Sequence, residues 1–324
     1  MSITLKSSES EKAMELHQSD RLLAAVHSVL RLSEDSPLFL QIYTTGPLEQ
    51  LPAFVLVLQC LVVECYRWQT VRLNVSTLSY DEVFLPISGQ LPSLRSLELV
   101  GMMKSFPAGR TLTLFHETPE LRSIQFFARP LNEDILQNIA IPWSQITFLT
   151  LSVLGVSEAC VAVKNILNHA TNLRTLSLGQ GSPVRPEVPL VHEQTLSSPI
   201  RPLVLKEYLP TSYGKPFSFH LFDFPNLTSL EIDFKRRADL HKDEMSSILT
   251  FLSRASSTLS SLSISNYRMS LSSLSYLLGR SEELRLRSLS ICLTVWEGDP
   301  SSIRQLPVVS GLEAISLEFD DGWG

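Results

Sequence analysis

The chain has 324 residues, of which 44% are hydrophobic and only 19% charged, against about 25% charged residues in ordinary soluble proteins. Its 27 Lys and Arg against 33 Asp and Glu give a net charge of −6, so no basic excess exists to bind a nucleic acid backbone. The hydrophobic share excludes a disordered chain, and the 13 glycines argue against a glycine-rich phosphate loop.

The N-terminal segment 1–19 has no apolar run and therefore no secretory signal. The longest apolar run, 53–63, is about half the length that a membrane-spanning helix needs, which argues against a membrane partner. Four cysteines in a chain of this length do not make a disulfide framework. We expect a soluble protein of the cytoplasm or nucleus, with a disordered tail at 1–19 and a single domain at 20–324.

From residue 68 onward one short pattern recurs: an apolar residue, two variable residues, an apolar residue, one variable residue and a third apolar residue. Clear copies begin at Leu94, Leu121, Ile146, Leu173, Ile200, Leu227, Leu259, Leu286 and Leu312, and a further copy fits at Trp68. The clear copies start 27, 25, 27, 27, 27, 32, 27 and 26 residues apart. Such regularity is the signature of a repeat architecture.

The pattern is the L-x-x-L-x-L core of the leucine-rich repeat. Its second and third apolar positions lie two residues apart, so they share one face of a short strand and point inward. Stacked copies then form a parallel sheet. We therefore predict an α/β fold, a leucine-rich-repeat solenoid of about ten to eleven degenerate repeats. A curved parallel sheet would form its concave face, with helices and loops on the convex face.

Apolar residues at helical spacing occur between three pairs of copies. They span 163–170 after Ser157, 245–252 after Asp239 and 271–278 after Ser270, and in each case the preceding residue is a candidate N-cap. These stretches predict helices on the convex face. The segment 179–202 contains five prolines and predicts an irregular loop instead.

A more specific resemblance involves segments 22–44, 52–75 and 90–101. A helix precedes a strand at Ser36-Pro37-Leu38-Phe39-Leu40-Gln41-Ile42, and a second helix precedes a strand at Arg67-Trp68-Gln69-Thr70-Val71-Arg72-Leu73. This arrangement is similar to the leucine-rich region of fungal F-box proteins, over about residues 20–320. The resemblance implies a protein-protein interaction module, the substrate-recognition region of an adaptor of an SCF-type ubiquitin ligase, holding an unidentified protein on its concave face.

Two features depart from that resemblance. The repeats lack the Asn or Cys that forms a side-chain ladder after each strand, as Met102 and Arg129 illustrate. The L-P-x-E-[IL]-L start and the C-x-x-W segment of an F-box are not found. Skp1 is therefore an expected partner only if an F-box is encoded upstream of Met1. The alternative is a free-standing leucine-rich-repeat scaffold or inhibitor unrelated to ubiquitination.

Motifs that would indicate chemistry are absent from the sequence. The seven histidines form no H-x-x-x-H or H-E-x-x-H arrangement, and no G-x-S-x-G is found. We therefore expect no enzyme activity, no cofactor and no metal.

The solenoid geometry instead predicts a protein-binding surface on the concave face, formed by strand residues that alternate with the apolar ones. Its candidate residues are Arg72, Asn74, Glu98, Gln125, Phe127, Lys206, Glu231 and Asp233. Phe127 is either an exposed anchor for a partner or half covered by the neighbouring strands. Glu231 and Asp233 are either a second contact point or ordinary solvated charges.

Overall fold

The computed structural model describes residues 2–7, 16–44, 52–74, 84–102, 113–129, 139–153, 165–180, 196–197, 202–208, 222–238, 248, 250–255, 258–270, 285–297 and 312–319. The chain divides into two compact units, Met1–Thr147 and Phe148–Gly324, whereas the sequence analysis treats 20–324 as one domain. The architecture is α/β, with parallel strands and helices.

The first unit contains five strands and two helices in its described part. They are β1 (Ser2–Ser7), α1 (Leu16–Leu32), β2 (Leu38–Thr44), α2 (Pro52–Val63), β3 (Trp68–Asn74), β4 (Ser96–Met102) and β5 (Ser123–Arg129). Each of β1 to β4 pairs in parallel with the strand that follows it. Parallel strands need a crossover between them, and α1 and α2 are the crossovers before β2 and β3.

Strand β1 differs from the disordered tail that the sequence analysis expects at 1–19. It pairs with β2 over six residues, from Ser2 opposite Phe39 to Ser7 opposite Thr44. The segment reads SITLKS, in which only two apolar residues, Ile3 and Leu5, alternate with polar ones, so its strand signal is short. The free backbone groups at the edge of β2 offer this segment hydrogen-bond partners.

The described part of the second unit contains a seven-stranded parallel sheet and one short separate pair of strands. The sheet consists of β6 (Phe148–Val153), β7 (Thr175–Gln180), β9 (Pro202–Tyr208), β11 (Ser229–Ala238), β12 (Ser261–Ser270), β13 (Ser288–Glu297) and β14 (Ala314–Phe319). The separate pair consists of β8 (Leu196–Ser197) and β10 (Phe222–Asp223).

Two of the three helices predicted between repeat copies overlap helical residues, at 165–169 and 250–254. The third, at 271–278, lies outside the described residues. Most of the proline-rich segment 179–202 also lies outside them, apart from its two ends and β8. No helix in the described part of the chain is long and apolar enough to cross a membrane.

The three apolar positions of the repeated pattern form the core. Leu94, Leu97 and Leu99 have no accessible surface, and the equivalent residues that the structure describes in the copies beginning at Leu121 to Leu286 are similarly buried. Each such side chain contributes about 1.5–3 kcal/mol of gross stabilisation by leaving water. Ile315 of β14 is the contrast, at 50% exposure, because no strand in the described residues pairs with the outer edge of β14.

Equivalent backbone hydrogen bonds, which we call the backbone ladder, join the residues just before neighbouring strands. The carbonyl oxygen of Arg95 accepts hydrogen bonds from the amides of Arg122 and Ser123 at 3.0 and 3.1 Å. In the second unit the carbonyl of Ser260 accepts from Arg287 and Ser288 at 2.9 and 3.0 Å. These main-chain contacts satisfy backbone groups at the start of the strands, whereas the missing Asn or Cys ladder would follow each strand. The arrangement is compatible with a solenoid or repeat fold.

Candidate functional site

The parallel register of the first unit aligns three of the predicted surface residues. Because Val71 and Leu73 are buried in the core, Arg72 between them lies on the opposite face of β3. In the strand register Arg72 lies opposite Glu98 of β4, and Glu98 lies opposite Gln125 of β5. We call this side of β2 to β5, opposite the buried leucines, the open face of the first unit.

An ion pair lies at the centre of the open face. Arg72 Nε is 2.8 Å from Glu98 Oε1, although the N–H direction is not that of an aligned hydrogen bond. The Arg72 guanidinium also lies over the ring of Tyr43 on β2, 5.2 Å from its centroid. A partly exposed pair of this kind adds only about 0–1 kcal/mol to stability. Its main effect is to hold the guanidinium in one place.

The ionisable groups around Arg72 are partly removed from water. Burial raises the pKa of Glu98 above its ordinary value of 4.5, and the attraction of Arg72 lowers it by less. Burial likewise raises the pKa of Tyr43, against a smaller lowering by Arg72. Shifts of this kind occur both at functional sites and in structural ion-pair networks.

The Arg72→Gln variant should raise the pKa of Glu98 further, because it removes the attraction that favours the carboxylate and leaves the burial. The measurement is an NMR titration of the Glu98 carboxyl carbon. The matched control is Gln125→Ala, which changes a neighbour of Glu98 without removing a charge.

The same titration has a consequence for stability. Because the pKa of Glu98 in the folded protein lies above its ordinary value of 4.5, the folded state binds more protons than the unfolded state between these two pKa values. Protonation of Glu98 therefore adds to the free energy of unfolding, and this addition is fully present below pH 4.5. It is lost as the pH rises through the folded-state pKa.

A lower pKa of Glu98 in the Arg72→Gln variant than in the wild-type protein would contradict the assigned ion pair.

Aromatic side chains flank the row of Arg72, Glu98 and Gln125. The side chain of Phe127 is 36% exposed, so it is neither a fully open anchor nor fully covered by the neighbouring strands. Phe127 lies opposite Val100 of β4 in the strand register. Phe39 of β2 is also partly exposed, on the other side of the row. The open face therefore combines a held charge pair with accessible apolar surface.

Sequence reasoning missed Phe39 and Tyr43, because the candidate surface was drawn only from Trp68 onward. The signal was present in the β2 sequence, where Leu38, Leu40 and Ile42 alternate with other residues exactly as the later core positions do. Extending the alternation back by one strand would have placed both aromatic residues on the open face.

The other predicted surface residues are distributed differently. Glu231 and Asp233 belong to β11 in the second unit. Glu231 is exposed, and Asp233 Oδ1 accepts a hydrogen bond from Ser265 Oγ at 3.2 Å. The side chains of Asn74 and Lys206 lie outside the described part of their strands. The structure thus brings together Arg72, Glu98, Gln125 and Phe127 on β3, β4 and β5 of the first unit. Asn74 is also on β3, where its backbone pairs with Val100, whereas Lys206, Glu231 and Asp233 are on strands of the second unit.

A metal site is not formed by the side chains that the structure describes, since no three His, Cys, Asp or Glu residues among them come close enough to hold an ion. Cys60, Cys65 and Cys292 are free thiols, and Cys160 lies outside the described residues. No family model matches the chain. No curated protein matches it either. The open face is therefore the feature of the described chain that bears most directly on function.

Proposed function

We propose that this protein is a protein-protein interaction module built as a leucine-rich-repeat solenoid, resembling the substrate-recognition region of an F-box adaptor. The observation that carries the proposal is the open face, where the Arg72–Glu98 pair lies between exposed aromatic side chains. Arginine and aromatic residues dominate the binding energy of protein interfaces. The rest of the face supplies shape and polar contacts.

The repeat pattern supports the solenoid part of the proposal. Copies about 27 residues apart, strands that pair in parallel with the next copy and a backbone ladder before each strand are the features that a leucine-rich repeat combines. In solenoids, partners bind along the extended face formed by such strands.

The held guanidinium supports the binding part of the proposal. A partner pays a free-energy cost for ordering flexible side chains, about 0.5–1.5 kcal/mol for each one immobilised. Tyr43 and Glu98 already restrain Arg72 before any partner arrives, which reduces this cost. A partner suited to the face would present an apolar group to Phe127 and a polar group to Arg72 or Gln125.

The test uses the double variant Gln125→Ala/Phe127→Ala as bait beside the wild-type protein. A genuine partner should bind the variant about tenfold more weakly, equal to about 1.4 kcal/mol, because an interface aromatic residue has been truncated. Candidates are identified by quantitative mass spectrometry of proteins retained from a cell extract, and each affinity is then measured with purified protein by calorimetry.

The control bait is Ser263→Ala/Ser290→Ala, which alters the corresponding strand positions of the second unit. Because Phe127 is only 36% exposed, we expect a small loss of thermal stability in the Gln125→Ala/Phe127→Ala protein, and circular dichroism should show that all three proteins are folded. If every retained protein binds the Gln125→Ala/Phe127→Ala bait as tightly as the wild type, the open face is not the binding surface.

The ubiquitin link and the free-standing scaffold make different predictions about the gene. Mapping the 5′ end of the transcript and translating the upstream frame would separate them. An L-P-x-E-[IL] helix with its C-x-x-W segment upstream of Met1 would support the adaptor and its contact with Skp1. A message that starts at Met1 would support the scaffold or inhibitor.

A further inference from the structure

A cleft of about 520 Å³ lies between α1 and α2, away from the strands of the open face. Leu23 and Leu30 of α1 and Leu56 and Val63 of α2 form its apolar lining. This volume is within the range of about 300–1,000 Å³ that is usual for small-molecule sites, which are commonly apolar and situated between helices.

The sequence of α2 explains why the cleft is apolar. The helix reads PAFVLVLQCLVV, so it is hydrophobic almost all round, as helices buried on every side are. Here Leu58 and Leu61 are buried, whereas Val63 is 73% and Leu56 48% exposed. Two large apolar side chains at the mouth of one cleft form a surface that is more favourable when covered.

The side chains of Cys60 and His27 form a polar pair that lines the cleft. Cys60 Sγ is 3.4 Å from Nε2 of His27, and both residues line the cavity. Burial raises the pKa of the Cys60 thiol, so the thiol is protonated and uncharged near neutral pH. The pair therefore offers hydrogen bonding but no negative charge.

The charge available to a ligand is positive. Glu64 lines the cleft, but its Oε2 is 3.2 Å from Arg67 Nη1 and accepts a hydrogen bond from Tyr66 Oη, also at 3.2 Å. Arg31 also lines the cleft, is exposed, and makes no ion pair with the residues that the structure describes. The C-terminus of α1 contributes about −0.5 charge nearby, which is less than the full charge of Arg31.

We propose that the cleft between α1 and α2 binds a small anionic amphiphile, of the class of alkyl carboxylates. The alkyl chain lies against Leu23, Leu56 and Val63, and the carboxylate pairs with the Arg31 guanidinium. This site is separate from the open face and does not depend on the proposed function.

Dodecanoate is the probe, titrated calorimetrically into the whole chain. It should bind saturably at one site with Kd below about 1 mM. Arg31→Gln should weaken binding about tenfold, because it removes the charge that pairs with the carboxylate, and Leu56→Asp should abolish it. Leu32→Gln is the control, since Leu32 is an exposed apolar residue of α1 that does not line the cleft.

Two further measurements locate the ligand and test its charge. Dodecanoate should slow the alkylation of Cys60 by N-ethylmaleimide and leave Cys292 unaffected, as mapped by mass spectrometry. Dodecyltrimethylammonium, which has the same chain and the opposite charge, should bind at least tenfold more weakly. The proposal is overturned if folded wild-type protein shows no saturable binding of dodecanoate, if Leu32→Gln weakens binding as much as Leu56→Asp, or if the cationic amphiphile binds equally well.

Discussion

Replacing Trp68 by alanine should lower the free energy of unfolding by about 3–5 kcal/mol, the range for removing a large aromatic residue from a core. Trp68 begins β3, is 1% exposed, and donates a hydrogen bond from Nε1 to the carbonyl of Leu61 at 3.1 Å. The substitution would therefore leave a cavity and remove one of the two hydrogen bonds to the Leu61 carbonyl, which also accepts from the amide of Glu64 at 3.0 Å. Urea unfolding followed by far-UV circular dichroism measures the loss.

Two controls test the packing of Trp68. Trp68→Phe keeps one aromatic ring and removes the donor together with part of the buried indole, so we expect a smaller loss of about 1–3 kcal/mol. Trp143→Ala removes a tryptophan that is only partly buried and should cost less than Trp68→Ala. A Trp68→Ala variant within 1 kcal/mol of the wild type, roughly the effect of an ordinary surface change, would contradict the packing described for β3.

Replacing Arg67 by methionine should lower the free energy of unfolding by about 1.5–3 kcal/mol, because it removes hydrogen bonds that a buried charged group makes. Arg67 is 6% exposed and its guanidinium has three partners. Nε donates to the carbonyl of Ser36 at 3.2 Å, Nη2 to Ser33 Oγ at 2.6 Å and Nη1 to Glu64 Oε2 at 3.2 Å. These contacts join the turn after α1 to the turn after α2.

The control for Arg67 is Glu64→Gln, which should cost less. Glu64 is more exposed than Arg67, and its amide replacement can still accept a hydrogen bond from Arg67. Arg67→Lys should fall between the two, because an ammonium cannot reproduce the planar fork that reaches three acceptors. Equal stability of Arg67→Met and the wild type in urea unfolding would show that the three contacts do not stabilise the fold.

Arg67 and Trp68 are the residues on which the resemblance to fungal F-box proteins partly depends. The structure supplies a physical reason for an Arg-Trp pair at the start of a strand. Arg67 holds the two turns together, and Trp68 closes the core beneath α2. Both roles concern stability, so the pair by itself carries no argument about a partner.

The local alternation of apolar residues was enough to predict the strands of the repeat and much of the open face. Because successive strand side chains point to opposite faces, the burial of Leu97 and Leu99 requires that Glu98 lies on the other side. The same argument applies to Arg72 and to Gln125. It could not predict that Arg72 contacts Tyr43, since these residues are on different strands and their meeting depends on register.

The sequence by itself determined the parallel strands, because the spacing of leucines is a local property that burial acts on directly. Only the tertiary structure decided the strand at Ser2–Ser7, the three partners of buried Arg67 and the cleft beside Arg31. Apart from the local contact of Arg67 with Glu64, these features join groups that are separated in sequence by 25 residues or more and meet only when neighbouring repeats stack. Such contacts have no periodic pattern, and their energies arise from hydrogen bonds and ion pairs between specific side chains rather than from the average hydrophobicity of a segment.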